Sequence, residues 1–181
     1  MNKTLKFEQF NLSATLLQAL ETKGFDTPTS IQEQCIPLLL DSKKDIVGQS
    51  QTGTGKTAAF GLPILHHIDN ELKEVQALIL TPTRELANQV SEEMEALKGK
   101  SNTSITPLYG GQSFSHQLTR LKKGTHVVVG TPGRIIDLIK RKRLVLDKIK
   151  YFILDEADEM LNMGFIEDVE WILEHCPDER R

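Results

Sequence analysis

Several features that would place this 181-residue sequence in a special class are scarce or missing. Its uninterrupted apolar runs, such as Val127–Val129 and Phe152–Leu154, are far shorter than the roughly 18 residues that a membrane span requires, so no crossing of a bilayer is expected. The basic first residues lead into no apolar segment and no small-residue cleavage site, so no secretory signal is predicted. The two cysteines, Cys35 and Cys176, argue against a disulfide scaffold and predict buried thiols in a reducing cytoplasm.

Charge is distributed unevenly, although the formal net charge is only −3. Residues 98–150 contain 12 Lys and Arg against two acids, a local net of +10, whereas residues 151–181 contain 10 acids against two arginines, a net of −8. These blocks are consistent with a basic surface for a polyanion beside an acidic segment that could hold a metal or activate water. Alternatively, the densest basic run, 140–143, is a solvated turn, and charge alone favours that simpler interpretation.

The hydrophobic pattern alternates short apolar runs with longer amphipathic stretches, which is typical of β-α units. The sequence therefore predicts one α/β domain over residues 1–181, with a mostly parallel sheet, helices on both faces and a helical region at 1–43. Strands are predicted at 45–48, 77–81, 104–109, 126–130 and 151–155. Helices are predicted at about 56–68, 83–97, 113–122, 132–141 and 165–175, preceded by helices at 14–23, capped by Ser13, and 31–40, capped by Ser30 and kinked or ended by Pro37.

The strongest local motif follows the first predicted strand and opens a helix. It comprises Gly48, Gln49, Ser50, Gln51, Thr52, Gly53, Thr54, Gly55, Lys56 and Thr57. Its glycines would let backbone N–H groups surround a phosphate, with Lys56 reaching the outer phosphates and Thr57 binding Mg²⁺. Ser50 replaces the first glycine of the usual pattern, but the strand-turn-helix setting favours nucleotide binding over a chance glycine-rich turn.

A second motif is an apolar strand that ends in the acidic run 155–158. Such a strand delivers its acids to the carboxyl edge of a sheet, where the phosphate-binding loop is also expected. Asp155 would then hold Mg²⁺ through water, while Glu156 would orient or deprotonate an attacking water. The alternative is an ordinary acidic helix start, which the motif alone does not exclude.

The run Asp155-Glu156-Ala157-Asp158 resembles the signature of the DEAD-box ATP-dependent RNA helicases. Residues 24–32 are similar to that family's Q motif, and Phe7 stands 17 residues before Gly24, where the family has an isolated aromatic residue. The segments 82–87, 110–111 and 131–134 resemble its RNA-facing motifs in the same order. The resemblance covers residues 7 to about 165 and implies a RecA-like P-loop domain that uses ATP, Mg²⁺ and RNA.

The resemblance also assigns roles to individual residues. Gln32 would pair with adenine and select ATP over GTP. Phe7 and Phe25 would lie on or near the base or belong to the core, and core packing is preferred for Phe25. Nucleotide contacts are expected from Phe7, Phe25, Thr27, Gln32, residues 50–57 and Asp158, with Lys56, Asp155 and Glu156 catalytic. RNA contacts are expected from Pro82, Thr83, Arg84, Gly110, Gly111, Thr131, Pro132, Gly133 and Arg134, which would grip phosphates without reading bases.

Two parts of the family pattern do not occur before Arg181: a strand bearing Ser-Ala-Thr and a second RecA-like domain with an arginine finger. The chain is therefore expected to be the first domain of a helicase, monomeric, cytoplasmic and unable to unwind RNA alone. Without the Ser-Ala-Thr strand, 45–48 and 151–155 are not expected to pair directly. A catalytically silent RNA-binding module and a DNA translocase are the alternatives, and the intact phosphate-loop and acidic residues speak against the silent module.

Overall fold

The computed structural model describes residues 6–42, 44–111 and 113–181. The first five residues, on which the absence of a secretory signal is predicted, lie outside the described residues. In chain order the elements are a 3₁₀ turn (Phe7–Phe10), α1 (Ala14–Thr22), α2 (Ser30–Asp41), α3 (Lys56–His67), β1 (Ala77–Leu80), α4 (Arg84–Leu97), β2 (Ile105–Leu108), α5 (Phe114–Lys122), β3 (Val127–Gly130), α6 (Pro132–Lys140), β4 (Tyr151–Leu154), α7 (Ala157–Asn162) and α8 (Ile166–Leu173). None of the helices within these ranges is long and apolar enough to span a membrane.

The chain divides into two compact units. One contains the residues up to Ile68 together with Glu93–Asn102, and the other contains Asp69–Glu92 together with Thr103–Arg181. In the first unit, α2 packs against α3. Helix α1 ends at Thr22, and the φ of 71° at Gly24 lets the N–H of Phe25 bond to the Leu20 carbonyl at 2.9 Å.

The second unit is built on a four-stranded parallel sheet in the order β2-β3-β1-β4. Its inner strands β1 and β3 read Ala-Leu-Ile-Leu and Val-Val-Val-Gly, and both are buried along their whole length. Continuous apolar runs of this kind are expected where both faces of a parallel sheet are covered. The α/β fold class with a parallel sheet is therefore confirmed.

One face of the sheet is covered by short helices. Leu78 of β1 lies in register with Val128 of β3 and Phe152 of β4 on this face. They belong to one apolar cluster that also includes Ile135 and Leu138 of α6, Met160 of α7 and Ile172 of α8. Helices of fewer than about 12 residues are marginal by themselves. Burial of these side chains, worth about 1.5–3 kcal/mol each, therefore stabilises α6–α8.

Four of the five predicted strands are confirmed, and the strand predicted at 45–48 is wrong. The described sheet contains only β1–β4, and Val47 is 98% exposed. A strand needs a neighbour for its N–H and C=O groups, and 45–48 has no place in this ladder. β4 pairs with β1 and not with 45–48, as expected. On its other side, the N–H of Phe152 donates to the Arg181 carbonyl at 2.6 Å.

The helix predictions are confirmed to within about two residues, with three corrections. Thr29, not Ser30, is the N-cap of α2, because the Gln32 side chain bonds back to the Thr29 N–H in a capping box. Pro37 does not end α2, which continues to Asp41. The hydrophobic pattern gives no sign of α7, whose six residues are too few for a visible periodicity.

We expect Gly130→Ala to destabilise the second unit by about 3 kcal/mol, since a Cβ there would collide with the Leu108 carbonyl oxygen of β2 and with the Ile135 side chain. Gly133→Ala is the matched control, because nothing lies within 4 Å of the position that its methyl group would occupy, and alanine favours a helix. Urea denaturation measures both. Equal unfolding free energies for the two variants would contradict this packing.

Candidate functional sites

The predicted phosphate-binding loop lies in the first unit and is stabilised by its own hydrogen bonds. The Thr54 hydroxyl bonds to the Gln51 carbonyl at 2.7 Å and to the Ser50 hydroxyl at 2.8 Å. Lys56 Nζ reaches back to the Ser50 carbonyl at 3.4 Å. Gly53 and Gly55 have φ values of 79° and 87°, a region that side chains disfavour. The loop therefore needs its glycines for its shape, and its lysine lies over it.

Gln32 links the predicted Q-motif segment to this loop. Its side chain is 3% exposed, its Oε1 accepts from the Thr29 N–H at 2.9 Å, and its Nε2 donates to the Gly55 carbonyl at 3.1 Å. The Thr29 hydroxyl donates to the Thr54 carbonyl at 2.8 Å. A Cβ at Gly55 would collide with Gln32 Nε2. Gln32 therefore braces the loop, and one N–H of its amide remains for another acceptor.

The other predicted base-contacting residues differ in exposure. Phe7 is 3% exposed and meets Phe10 edge to face, with ring centroids 6.0 Å apart, so it is a core aromatic in this structure. Phe25 is half-buried, with Lys23 Nζ 5.7 Å from its ring centroid. Thr27 is exposed. Phe25 is therefore more accessible than Phe7.

The acidic motif lies in the second unit, directly after β4. The N–H of Asp155 bonds to the Leu80 carbonyl at 3.0 Å, which fixes the buried Asp155 at the carboxyl edge of the sheet. Glu156 has φ 54° and ψ 51° and is the N-cap of α7. A side chain at positive φ costs about 1–2 kcal/mol, and such strain is often found at functional sites. Asp158 is exposed in the first turn of α7.

Six of the residues predicted to face RNA meet in one open cavity of about 520 Å³ in the second unit. It is lined by Pro82, Arg84, Gly110, Thr131, Gly133, Arg134 and Phe165. These residues come from the segments that follow β1, β2 and β3, together with the start of α8. Thr83, Gly111 and Pro132 are not part of the lining. The carboxyl edge of the parallel sheet thus brings together three motifs that are far apart in the sequence.

The residues outside the lining support it. The Thr83 hydroxyl accepts from the Leu86 N–H at 3.2 Å, which caps α4, and Pro132 is the first residue of α6. Gly111, at φ 85°, leaves room for Arg84, whose Nη1 would be 3.2 Å from a Cβ there. Arg84 donates to Glu85 at 2.7 Å, and this hydrogen bond lowers the pKa of the Glu85 carboxyl.

Sequence reasoning missed Gln117, which is 1% exposed. Its Oε1 accepts from Arg134 Nη1 at 2.8 Å, and its Nε2 donates to the Tyr109 carbonyl at 2.9 Å. It thereby fixes Arg134 beside the Gly110 segment without neutralising the arginine charge. A signal was present, because Gln117 stands among Phe114, Leu118 and Leu121 at helical spacing, on the otherwise apolar face of α5.

Phe165 was also missed as a site residue, since the predicted helix began there. The structure makes it the N-cap of α8, after Gly164 with φ 82°, with its N–H bonded to the Met160 carbonyl at 3.0 Å. Its half-buried ring packs on the apolar cluster and lines the cavity. An aromatic residue directly after a glycine was the available signal.

No group of three or more His, Cys, Asp or Glu side chains converges on a point within residues 6–42, 44–111 and 113–181. Both cysteines are free and buried, and burial raises the pKa of the Cys176 thiol to about 11. The expected Mg²⁺ ligands are not a cluster of this kind. They are the Thr57 hydroxyl and the Asp155 carboxylate. Such hard oxygen donors suit Mg²⁺, which keeps several of its own waters.

Comparison with known proteins identifies the family to which these motifs belong. Residues 29–181 match the family described as DEAD/DEAH box helicase. The chain belongs to this family. It is 53% identical over 176 residues to the ATP-dependent RNA helicase CshA of Listeria monocytogenes, a match that covers 97% of this chain and 34% of that protein. It is 52% identical to a probable ATP-dependent RNA helicase of Methanocaldococcus jannaschii, covering 98% of this chain and 48% of that protein.

Solved structures support the RecA-like fold of this helicase family. A crystal structure of a DEAD box protein from the hyperthermophile Methanococcus jannaschii matches with a TM-score of 0.93 and 51% identity, over 97% of this chain and 48% of that one. Dbp5 of S. cerevisiae, solved bound to Gle1, matches with a TM-score of 0.86 and 33% identity, over 99% of this chain and 46% of that one. The chain thus spans about a third to a half of the length of these helicases.

We expect Gln117→Ala to lower the unfolding free energy by about 1–3 kcal/mol, because the Tyr109 carbonyl and Arg134 would each lose a buried hydrogen-bond partner. Gln89→Ala, at an exposed position of α4, is the matched control and should change stability little. Urea denaturation of both variants measures the difference. A Gln117→Ala protein as stable as the control would refute the bracing role.

Proposed function

We propose that this chain is the ATP- and RNA-binding first domain of an ATP-dependent RNA helicase, which couples ATP hydrolysis to local unwinding of RNA duplexes or remodelling of RNA–protein complexes. The observation that supports this best is the cavity at the carboxyl edge of the sheet, where six predicted RNA-facing residues meet. The names of the similar proteins are consistent with it.

ATP would bind through the Q-motif segment and the phosphate-binding loop. Gly53 and Gly55 allow the loop to turn its N–H groups toward phosphate, and Lys56 supplies the cation for the outer phosphates. Gln32 would offer its remaining amide N–H to the adenine edge. The Thr57 hydroxyl and the Asp155 carboxylate, the latter through water, would hold Mg²⁺, which when bound neutralises phosphate charge.

Hydrolysis would depend on carboxylates of the acidic motif. Glu156 would orient the attacking water or accept a proton from it. Its backbone, at positive φ, forms the N-cap of α7 and fixes the position from which the side chain extends. Asp155 is fixed by the backbone bond to β1, so it can act as a stationary oxygen donor. Asp158 would contribute a further nucleotide contact from the first turn of α7.

RNA would be held by its phosphates at the cavity in the second unit. Arg134 is bonded to a neutral amide, so its charge is available to a phosphate, whereas Arg84 already shares its charge with Glu85. The Gly110 and Gly133 positions let a nucleic-acid backbone approach closely, since no Cβ intervenes. None of these groups is arranged to read a base, so binding should be independent of sequence.

The full-length protein would need more than this chain for unwinding. Because the chain spans about a third of the CshA relatives, we propose that a second RecA-like domain supplies an arginine finger and the rest of the RNA site. A reducing, cytoplasmic location is consistent with the two free cysteines. We propose that the protein acts as a monomer.

We expect Glu156→Gln to reduce RNA-stimulated ATP hydrolysis by the full-length protein about 100-fold or more while ATP binding persists, because the amide keeps the shape but loses the base. Lys56→Ala should instead weaken ATP binding. Glu159→Gln, which removes an exposed charge of the same helix, is the matched control. Steady-state ATPase and nucleotide-binding assays measure these effects. Wild-type turnover by Glu156→Gln would exclude this carboxylate as the base.

We expect Gln32→Ala to lower ATP affinity roughly tenfold or more and to reduce the preference for ATP over GTP, since a buried amide partner is lost. Gly53→Ala strains the same loop at φ 79° but leaves the Gln32 amide in place, since nothing lies within 4 Å of the added Cβ, so it should weaken binding of both nucleotides equally. Titrations with ATP and GTP measure this difference. If Gln32→Ala also weakened the binding of ATP and GTP equally, Gln32 would only brace the loop.

A further inference from the structure

The end of helix α6 is a defined turn that carries four consecutive cations, Lys140 to Arg143. The N–H of Arg143 bonds to the Leu138 carbonyl and that of Lys142 to the Ile139 carbonyl, both at 2.8 Å. This pair of bonds is the Schellman pattern that closes many helices. The turn is therefore fixed by the backbone, and its side chains project from a rigid base.

Lys142 occupies the position of this turn where glycine is usual. Its φ is 54°, in the left-handed region that costs a side chain about 1–2 kcal/mol. Gly24, at the corresponding position after α1, shows the ordinary solution in the same chain. A lysine at this position is unfavourable for folding, so a role for its charge would account for it.

Neighbouring groups neutralise only part of this cluster. Arg141 bonds to Asp137 at 2.6 Å, and Lys140 Nζ lies 5.2 Å from the ring centroid of Trp171. The helix dipole favours cations in the last turn, which accounts for Lys140 and Arg141. It does not account for Lys142 and Arg143, which lie beyond the helix and are exposed.

A short path joins this turn to the cavity. Arg134, which lines the cavity, has its guanidinium carbon 5.5 Å from the ring centroid of Phe114. The guanidinium carbon of Arg141 lies 5.2 Å from the same centroid. The two arginine carbons are therefore at most about 11 Å apart, the sum of the two distances. At about 3.4 Å per stacked nucleotide, at most roughly three nucleotides separate the two groups.

We propose that Lys142 and Arg143 form a second phosphate-contact site, which holds the single-stranded RNA that extends beyond the cavity. The inference rests on the proposed RNA binding at the cavity and adds a surface to it. The guanidinium groups of Arg134 and Arg141 both lie over the Phe114 ring, which holds the start of this turn near the cavity. The site binds phosphates, so it is indifferent to base sequence.

The first test uses Lys142→Gln/Arg143→Gln in the full-length protein, with single-stranded oligouridylates of about 4 to about 16 nucleotides. Affinity for the shortest oligonucleotides should match the wild type. Longer ones should bind roughly tenfold more weakly, and the slope of log affinity against log salt should fall by about 1.4, or about 0.7 for each lost phosphate contact. Lys122→Gln/Lys123→Gln, an exposed pair at the end of α5, is the matched control.

The second test uses Lys142→Gly, for which a structural role and an RNA-binding role predict different results. The glycine removes the backbone strain, so the midpoint of thermal unfolding should rise. Affinity for the long oligonucleotides should nevertheless fall severalfold. A more stable variant with unchanged affinity would show that the cation at this position does not contact RNA.

The outcomes separate this inference from the proposed function. If the wild type binds no RNA of any length, both fail. If it binds RNA but the Lys142→Gln/Arg143→Gln variant loses as much affinity for short as for long oligonucleotides, or no more than the control pair, only the second site is refuted. A loss confined to the longer oligonucleotides, together with the opposite effects of Lys142→Gly, supports it.

Discussion

The arrangement of the second unit depends on the parallel hydrogen-bond ladder, which continues one residue past the ends of three strands. The backbone N–H of Thr81 donates to the Gly130 carbonyl at 2.9 Å, and that of Thr131 donates to the Leu108 carbonyl at 3.1 Å. The backbone N–H of Asp155 donates to the Leu80 carbonyl at 3.0 Å. Buried N–H and C=O groups must be paired, so these bonds fix where each strand stops. The segments after the strands therefore leave the sheet at one edge.

This constraint explains why the sequence predicts so much of the fold. The apolar runs of β1, β3 and β4 are long enough to reveal strands, and motifs placed after strands must meet at the carboxyl edge. The same reasoning failed for 45–48, because a strand also requires a neighbour that sequence pattern does not reveal. It also missed α7, which is held by the burial of Met160 more than by its own periodicity.

Some residues of the candidate sites could be predicted from the sequence and others could not, for a physical reason. Backbone-dependent features, such as the glycines of the phosphate-binding loop, have signatures that can be read locally. Gln117 and Phe165 act through tertiary contacts, so their roles depend on which segments the fold brings beside them. Gln32 is intermediate, since its capping box can be read from Thr29 and Gln32 but its bond to Gly55 cannot.

The pairing of Arg134 with an amide is central to the electrostatics of the cavity. A carboxylate at position 117 would have held the guanidinium equally well, but it would have cancelled the charge that a phosphate needs. Gln117 orients the cation and leaves its charge intact, and it is itself satisfied by the Tyr109 carbonyl. The buried amide thus connects the packing of α5 with the proposed binding of phosphate at the cavity.

Amide hydrogen exchange of the full-length protein, with and without saturating single-stranded RNA, tests the central claim most directly. We expect RNA to slow exchange in the three segments that form the cavity, 82–86, 109–111 and 131–135. Exchange in the α1 segment, which contributes nothing to the cavity, should stay unchanged. Bound RNA that left all three cavity segments unprotected would contradict the account.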